Sequence, residues 1–192
     1  ICFTARLTRA FSPIGGDLDS LADLVSFGLA PGMISYALLR SYFLPGAGMH
    51  EAFLPAALPA LTALLIPVFS ALRLAKFNID TRQQTSFVGL PTPAHAFFYA
   101  SLPFIPEQLQ ITAHSPFIAA FIMILNLGLS ILLIVEFPMF SLKFKSFGIK
   151  DNSLRYGFLA GSLLLFVFLG MAGIAVIILL YILISAILLL RR

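Results

Sequence analysis

The sequence predicts an all-α fold, a polytopic bundle of six transmembrane helices, and three observations carry that prediction. Hydrophobic residues fill 60% of the 192 positions and charged residues only 10%, against roughly 45–50% and about 25% in soluble domains. Several apolar runs reach the roughly 20 residues that a helix needs to cross a bilayer. Lys and Arg collect in alternate loops, as they do in the cytoplasmic loops of membrane proteins. We therefore expect residues 1–192 to form one integral membrane domain.

The apolar runs define the spans in chain order. They cover Ser20 to Leu44, Ala52 to Leu72, Ala94 to Ile111, Pro116 to Val135 and a final run from Tyr156 to Leu190. Two prolines, a glutamate and a glutamine interrupt the third run, so we expect that span to be short, tilted or broken. As one helix the final run would measure about 52 Å at ~1.5 Å per residue, well beyond a bilayer. It is therefore predicted to form two spans separated near Gly170–Gly173.

The positive charges decide the expected orientation. If residues 1–19 are cytoplasmic, eleven of the twelve Lys and Arg residues fall on that side, and Arg40 alone lies near the outer end. An odd number of spans would place Arg191 and Arg192 on the wrong side, so the span count and the charges agree. We expect a multi-pass protein of the cell inner membrane. In so apolar a chain the basic balance indicates a lipid surface, and no nucleic-acid partner is expected.

Three of the eight acidic residues, Asp17, Asp19 and Asp23, lie within seven positions at the start of the first span. Asp19 and Asp23 are four residues apart and share one helix face, with Gly15 one turn earlier on that face. Two interpretations are open at this point. The acids either cap the free N–H groups of a helix start, with one of them snorkelling, or bind a hard cation such as Mg²⁺ together with substrate phosphates.

The same residues resemble a known signature. The pattern D-x-x-D-G-x-x-A-R-x8-G-x3-D-x3-D of the CDP-alcohol phosphotransferase family is reproduced in its second part, at the required spacings, by Ala5, Arg6, Gly15, Asp19 and Asp23. Three longer strings are similar to the bacterial phosphatidylserine synthase branch of that family, namely Leu18–Pro31, Arg73–Asn78 and Gly89–Pro93. The last two spans contribute only hydrophobicity to the resemblance.

The resemblance implies an enzyme that transfers the phosphatidyl group of CDP-diacylglycerol to L-serine and releases CMP. It implies a divalent metal, Mg²⁺ or Mn²⁺, bound by Asp19 and Asp23 against the pyrophosphate of the donor, with Asp23 as the catalytic base toward the serine hydroxyl. Ala5, Arg6 and Gly15 would contact the nucleotide and its phosphates. The resemblance also implies a homodimer.

A second group of candidate substrate-binding residues follows the second span. Arg73, Lys76 and Asn78 open a basic loop on the expected cytoplasmic side. A guanidinium binds phosphate or carboxylate through two parallel hydrogen bonds, so Arg73 is the expected contact for a phosphate or for the serine carboxylate. Charge that only sets the topology is the alternative, and it accounts for the later lysines at positions 143, 145 and 150.

The isolated polar residues and the glycine motif within the spans are expected to have structural roles. Asn126 is expected to form a hydrogen bond with a neighbouring helix. His95 is assigned to the membrane interface, with lining of the site as the alternative. The G-x-x-x-G string Gly157 to Gly161 permits close helix packing, but it is too common in apolar runs to indicate a dimer by itself.

The signature also predicts residues that differ in this chain. Its Asp-Gly pair falls on positions 1 and 2, where Ile1 and Cys2 stand, and a further Asp would precede them. We therefore expect a chain truncated at its start, with an impaired metal site. Two other functions are open: a family member whose acceptor is glycerol phosphate or inositol phosphate, and a non-catalytic transporter whose buried acids conduct a proton or cation.

Overall fold

The computed structural model describes residues 13–43, 53–79, 89–109, 116–137 and 152–190, together with Met139 and Gly148. Every regular element within those ranges is helical. In chain order they are α1 (Pro13–Leu24), a π-helix (Val25–Leu29), α2 (Ala30–Phe43), α3 (Phe53–Ile79), α4 (Thr92–Ser101), α5 (Phe104–Leu109), α6 (Pro116–Ile134), α7 (Ser153–Leu169) and α8 (Ala172–Leu190). The predicted all-α class is confirmed.

The helices occupy all six predicted spans, with differences in length. Among the described residues, four stretches are long and apolar enough to cross a membrane: Ile14–Phe43, Leu61–Asn78, Pro116–Ile134 and Ala172–Leu190. The protein is therefore a multi-pass membrane protein. The fifth predicted span, α7, is apolar but has only 17 residues. The third is broken into α4 and α5 just before Pro103, as its prolines predict.

Two helix boundaries differ from the prediction, and one agrees. The first helix already includes Pro13 instead of starting at Ser20, and α3 continues to Ile79 instead of ending at Leu72. The end of α3 stays helical because its polar side chains find partners on α1 and α6, as described below. The predicted division of the final run is confirmed: α7 ends at Leu169 and α8 begins at Ala172, and Gly170 between them has a φ of 55°, which glycine adopts without steric cost.

A π-helix interrupts the first span directly after α1. The N–H of Ala30 donates to the carbonyl of Val25, five residues earlier instead of the usual four. Pro31 explains this wide turn. In a regular α-helix its ring would collide with the carbonyl of Phe27, and it has no N–H to donate to that carbonyl. The extra residue in the turn removes the collision and rotates α1 relative to α2.

The first long span packs closely against α3. A Cβ on Gly28 would lie 3.0 Å from the Cβ of Ser70, and a Cβ on Gly32 would lie 3.1 Å from Cδ of Pro67. No larger side chain fits at either position unless the neighbouring helix moves, so glycine allows the two backbones to approach. α6 packs against both α2 and α3, and these helices form the centre of the bundle.

Polar side chains lie inside the bundle and large apolar side chains cover its outside. Asn126 is fully buried; its Oδ1 accepts from Ser35 Oγ at 2.9 Å, and its Nδ2 donates to Thr62 Oγ1 at 3.4 Å. The predicted hydrogen bond of Asn126 to a neighbouring helix is confirmed. Exposed large side chains include Met33, Leu64, Phe117, Ile124, Leu163 and Phe168. This arrangement suits a surface that faces lipid.

Candidate active site

Asp19 and Asp23 lie beyond the first turn of α1. The helix already includes Pro13, and its first turn contains no acidic residue. Capping and dipole effects are confined to about the first turn of a helix, so they do not explain acids at these two positions. Asp19 and Asp23 are both half-buried whereas Asp17 is exposed, which agrees with two acids on a shared face and a third on another. Gly15, one turn earlier, is also half-buried.

Two contacts fix how α1 and α3 lie side by side. Asn78 Nδ2 donates to Ser20 Oγ at 3.0 Å, and the backbone of Gly28 lies against Ser70. As residue numbers increase along the first span, the residue numbers of its contacts on α3 decrease. The two helices are antiparallel, and the contacts at both ends set their register.

This register determines which residues share a level in the bundle. By interpolation between the two contacts, Asp23 lies at the level of Ala75 and Arg73 at the level of Val25. The last two turns of α3 therefore run alongside the acids of α1. The structure brings the two predicted groups of site residues to one end of the bundle.

Arg73 belongs to the interior of that end. Its side chain is only 5% exposed, and its Nε donates to the carbonyl of Leu90 at 3.4 Å. Because Leu90 lies two residues before the start of α4 at Thr92, the bond joins the end of α3 to the beginning of α4. A guanidinium is buried in proteins only when it is hydrogen-bonded or ion-paired. Arg73 is therefore a buried polar group of the bundle and not part of a solvated loop.

Lys76 points toward α6. Its Nζ lies 3.0 Å from Glu136 Oε1 and donates to the carbonyl of Ile134 at 3.4 Å. A cation near the last carbonyls of a helix complements the helix dipole. The two charged side chains are 35% and 53% exposed, so we expect the ion pair to contribute about 1 kcal/mol or less. In the structure Lys76 joins α3 to α6, and its contact with substrate stays a prediction.

Gly89 and Leu90, which precede α4, form backbone hydrogen bonds with the end of α6 and with the residues that follow it. The N–H of Gly89 donates to the carbonyl of Phe137 at 2.8 Å, and that of Leu90 donates to the carbonyl of Leu132 at 3.1 Å. Gly89 has a φ of 77°, and a Cβ there would lie 3.0 Å from the Leu133 carbonyl oxygen. Only glycine fits both the conformation and the space. Leu90 thereby pairs one of the last carbonyls of α6.

The shared face of α1 presents two carboxylates, those of Asp19 and Asp23, to a cation. Within the ranges that the structure covers, no group of three or more His, Cys, Asp and Glu side chains could hold a metal ion. Mg²⁺ is commonly bound by one or two protein carboxylates together with substrate phosphates and water. Asp19 and Asp23 therefore fit a cation that binds with a phosphate-bearing substrate. Ala5 and Arg6, and also Ile1 and Cys2, lie outside the described residues.

Sequence reasoning missed the burial of His95. This side chain is 0% exposed and therefore lies in the protein interior, while its position at the level of the membrane interface and its lining of the site stay predictions. Among the described residues neither ring nitrogen has a hydrogen-bond partner, and the same is true of the buried hydroxyls of Ser70, Tyr99 and Ser130. The four-residue spacing of His95 and Tyr99, which gives their rings a 5.0 Å centroid separation on one face of α4, is the signal that could have indicated a buried polar face.

Comparison with known proteins agrees with the signature. A family model for CDP-alcohol phosphatidyltransferase matches residues 3–135, more than half of the chain. The CDP-diacylglycerol--serine O-phosphatidyltransferase of Bacillus subtilis (strain 168) is 35% identical over 138 residues, which are 71% of this chain and 65% of that protein. The Helicobacter pylori (strain J99) protein of the same name is 43% identical over 94 residues, 48% of this chain and 35% of that protein.

A third relative has a different printed name. The archaetidylserine synthase of Methanothermobacter thermautotrophicus is 32% identical over 126 residues, which are 65% of this chain and 45% of that protein. The chain thus spans between about a third and just under two thirds of the length of these curated relatives. The matched region contains Asp19, Asp23 and the whole of α3. The chain belongs to the CDP-alcohol phosphatidyltransferase family.

Proposed function

We propose that the protein transfers the phosphatidyl group of CDP-diacylglycerol to L-serine and forms phosphatidylserine and CMP, a step of phospholipid biosynthesis. One observation carries the proposal: α1, which contains Asp19 and Asp23, lies alongside the end of α3, which contains the buried Arg73. Membership of the family supports the donor. Relatives from Bacillus and Helicobacter, whose names state serine as the acceptor, support the choice of acceptor.

The site has the charges that this reaction needs. The serine oxygen forms a bond to the phosphorus of the donor, and the bond from that phosphorus to the CMP oxygen breaks. Asp23 accepts the proton of the serine hydroxyl as the general base. Arg73 holds an anionic substrate group through two parallel hydrogen bonds. A divalent cation, Mg²⁺ or Mn²⁺, held by Asp19 and Asp23 would stabilise negative charge on the phosphate oxygens.

The proposed orientation places this site on the cytoplasmic side of the cell inner membrane. Arg73 and Lys76 lie at the same end of the bundle as the acids of α1, and an excess of Lys and Arg marks cytoplasmic ends. CDP-diacylglycerol has its pyrophosphate at the membrane surface and its acyl chains in the bilayer. A site at the beginning of the first span is reached by such a lipid and by a polar acceptor from the cytoplasm. We further propose a homodimer, as expected for the family.

The proposal is tested by an acceptor comparison. The purified protein is incubated in mixed micelles with CDP-diacylglycerol, Mn²⁺ and L-serine, glycerol 3-phosphate or inositol phosphate, and CMP release is measured. We expect release with serine at least about tenfold faster than with either phosphorylated acceptor, since those acceptors need additional cationic contacts. The Asp23→Asn variant gives the background rate.

The other functions give different results in the same experiment. Faster CMP release with glycerol 3-phosphate or inositol phosphate would assign the protein to another acceptor class and refute the serine proposal. A transporter would show no CMP release with any acceptor. It would instead carry protons or cations into liposomes that contain no CDP-diacylglycerol.

A further inference from the structure

The interior of the bundle contains polar groups that the protein itself does not satisfy. Both ring nitrogens of His95, the Oγ of Ser70 and the hydroxyl of Tyr99 are buried without a hydrogen-bond partner among the described residues. All three side chains are 0% exposed. Buried polar atoms in folded proteins are nearly always hydrogen-bonded, and exceptions call for a ligand, a water molecule or a functional role. Ser70 lies on α3, and His95 and Tyr99 lie one turn apart on α4, so the exceptions come from more than one helix.

These groups come from helices that meet at the π-helix. Ser70 lies against Gly28 within that turn. α4, which carries His95 and Tyr99, packs against the π-helix and against α2. The π-helix adds an acceptor of its own: the Ala30 N–H is bonded to Val25 and Pro31 has no N–H, so Ser26 lacks the backbone donor that a helix normally provides.

Arg73 connects this polar interior to the acids of α1. It lies three residues after Ser70, so the two share a face of α3. Its Nε donates to the carbonyl of Leu90, and Leu90 precedes His95 by little more than one helical turn. On its other side, the register of α1 and α3 places Arg73 about half a turn from the level of Asp23. By the same register Ser70 lies at the level of Gly28, five residues along the first span from Asp23, and Arg73 lies between these two levels.

We propose that Arg73, Ser70 and His95 form the subsite for the amino-acid acceptor, in which the guanidinium holds the α-carboxylate while the imidazole and the Ser70 hydroxyl accept hydrogen bonds from the α-ammonium group. This inference rests on the proposed function and specifies its acceptor site. An uncharged imidazole always has one nitrogen with a free lone pair, and a hydroxyl has two. Zwitterionic L-serine carries both the carboxylate and the ammonium group that these side chains can bind. In this proposed pose the serine hydroxyl is directed toward Asp23.

The discriminating variant is His95→Leu, which removes both nitrogens and keeps an apolar side chain of similar size. We expect the KM for L-serine to rise about tenfold or more, with the KM for CDP-diacylglycerol unchanged, because an amino-acid contact is lost and no donor contact is. His95→Gln, which retains a hydrogen-bond acceptor, should recover part of the serine affinity. Phe98→Leu is the matched control, since Phe98 is a buried residue of the same helix and should lower the Tm without changing the serine KM.

L-Alanine supplies a second readout that does not involve the serine hydroxyl. It has the carboxylate and ammonium of serine without the hydroxyl, so it should compete with serine, and its inhibition constant should rise about tenfold in His95→Leu. Ethanolamine, which lacks the carboxylate, should compete weakly in both proteins. If His95→Leu is not obtained folded, Ser70→Ala replaces it, and an increase of about threefold in the serine KM is expected.

A purely structural His95 gives the opposite results. Replacing an unpaired buried polar group by leucine would then raise the Tm and leave the serine KM and the L-alanine inhibition unchanged, which would overturn the inference. Failure of the proposed function is distinguishable, because the unmodified protein would then release no CMP with serine. If only the subsite proposal is wrong, the unmodified protein still releases CMP with serine, and the variants show no change in the serine KM.

Discussion

Asn78 and Ser20 join the end of α3 to α1 through a hydrogen bond of 3.0 Å from Nδ2 to Oγ. Ser20 directly follows Asp19, and its hydroxyl in turn donates to the carbonyl of Gly16 at 3.2 Å. The bond therefore sets the height of the acids relative to the last turns of α3. Asn78 therefore has a structural role as a connector of helices, beside its predicted role as a substrate contact.

A double-mutant cycle separates these two roles of Asn78. Ser20→Ala removes the bond between the helices and the local bond to the Gly16 carbonyl but no substrate contact, and it should lower CMP release by a few-fold, as expected for roughly 1 kcal/mol. Asn78→Ala should lower it about tenfold or more, because a substrate contact is lost as well. The measurement is kcat/KM for serine in the two single variants and the double variant. Equal effects of the two single variants, with no further loss in the double variant, would reduce Asn78 to a connector of helices.

Replacing Arg73 by Lys tests the planar guanidinium. The variant keeps the positive charge and the topology but loses the Nε donation to Leu90 and the ability to form two parallel hydrogen bonds. We expect the KM for serine to rise about tenfold, equivalent to about 1.4 kcal/mol. Arg155→Lys, on α7, serves as the control and should leave the KM unchanged. An unaltered serine KM in Arg73→Lys would exclude Arg73 as a substrate contact.

The acids of α1 should differ in their importance for activity. Asp19→Asn and Asp23→Asn should each lower CMP release roughly 10²-fold or more, because they remove a metal ligand, a general base or both. Asp17→Asn is the matched control, since Asp17 is exposed on another face. Chelation by EDTA should abolish activity, and Asp19→Asn should need more Mn²⁺ for its half-maximal rate. Equal rates of CMP release in the Asp17, Asp19 and Asp23 variants would contradict the proposed cation site.

Gly89→Ala tests the contact between the start of α4 and the end of α6. The φ of 77° and the 3.0 Å approach of a Cβ to the Leu133 carbonyl oxygen should lower the free energy of unfolding by about 2 kcal/mol. Gly128→Ala is the control on α6, where nothing lies within 4 Å of a Cβ. The protein has no Trp, so thermal unfolding is followed by circular dichroism at the helical band. A Tm equal to that of the control would contradict the steric explanation.

Restoring the first part of the signature should increase activity. Ile1→Asp combined with Cys2→Gly places a carboxylate and a small residue at the positions that the family pattern gives to Asp-Gly. We expect CMP release to rise about tenfold or more, because a third carboxylate strengthens divalent cation binding. Ile1→Asn with Cys2→Gly has the same shape without the charge and should give no increase. A double variant no more active than this control would show that two carboxylates suffice.

The sequence by itself determined the class of the protein and the position of its helices, because apolar length, proline and glycine act locally. Spans of membrane length follow from the apolar runs, the division near Gly170 follows from a final run too long for one span, and the acids at 19 and 23 share a face through helical periodicity alone. The signature likewise identified the family, since it depends only on spacing along the chain.

Only the tertiary structure decided where the polar side chains go, because their partners are distant in the chain. The bonds of Asn78 to Ser20 and of Lys76 to Ile134 each span 58 residues, and no local pattern encodes such a pairing. The burial of His95 depends on α4 packing against the π-helix, and the wide turn of the π-helix follows from the collision that Pro31 would cause in a regular α-helix. Hydrophobicity places helices in a membrane, but it does not determine which helix faces pack against one another. The candidate site depends on that packing, because its residues come from different helices.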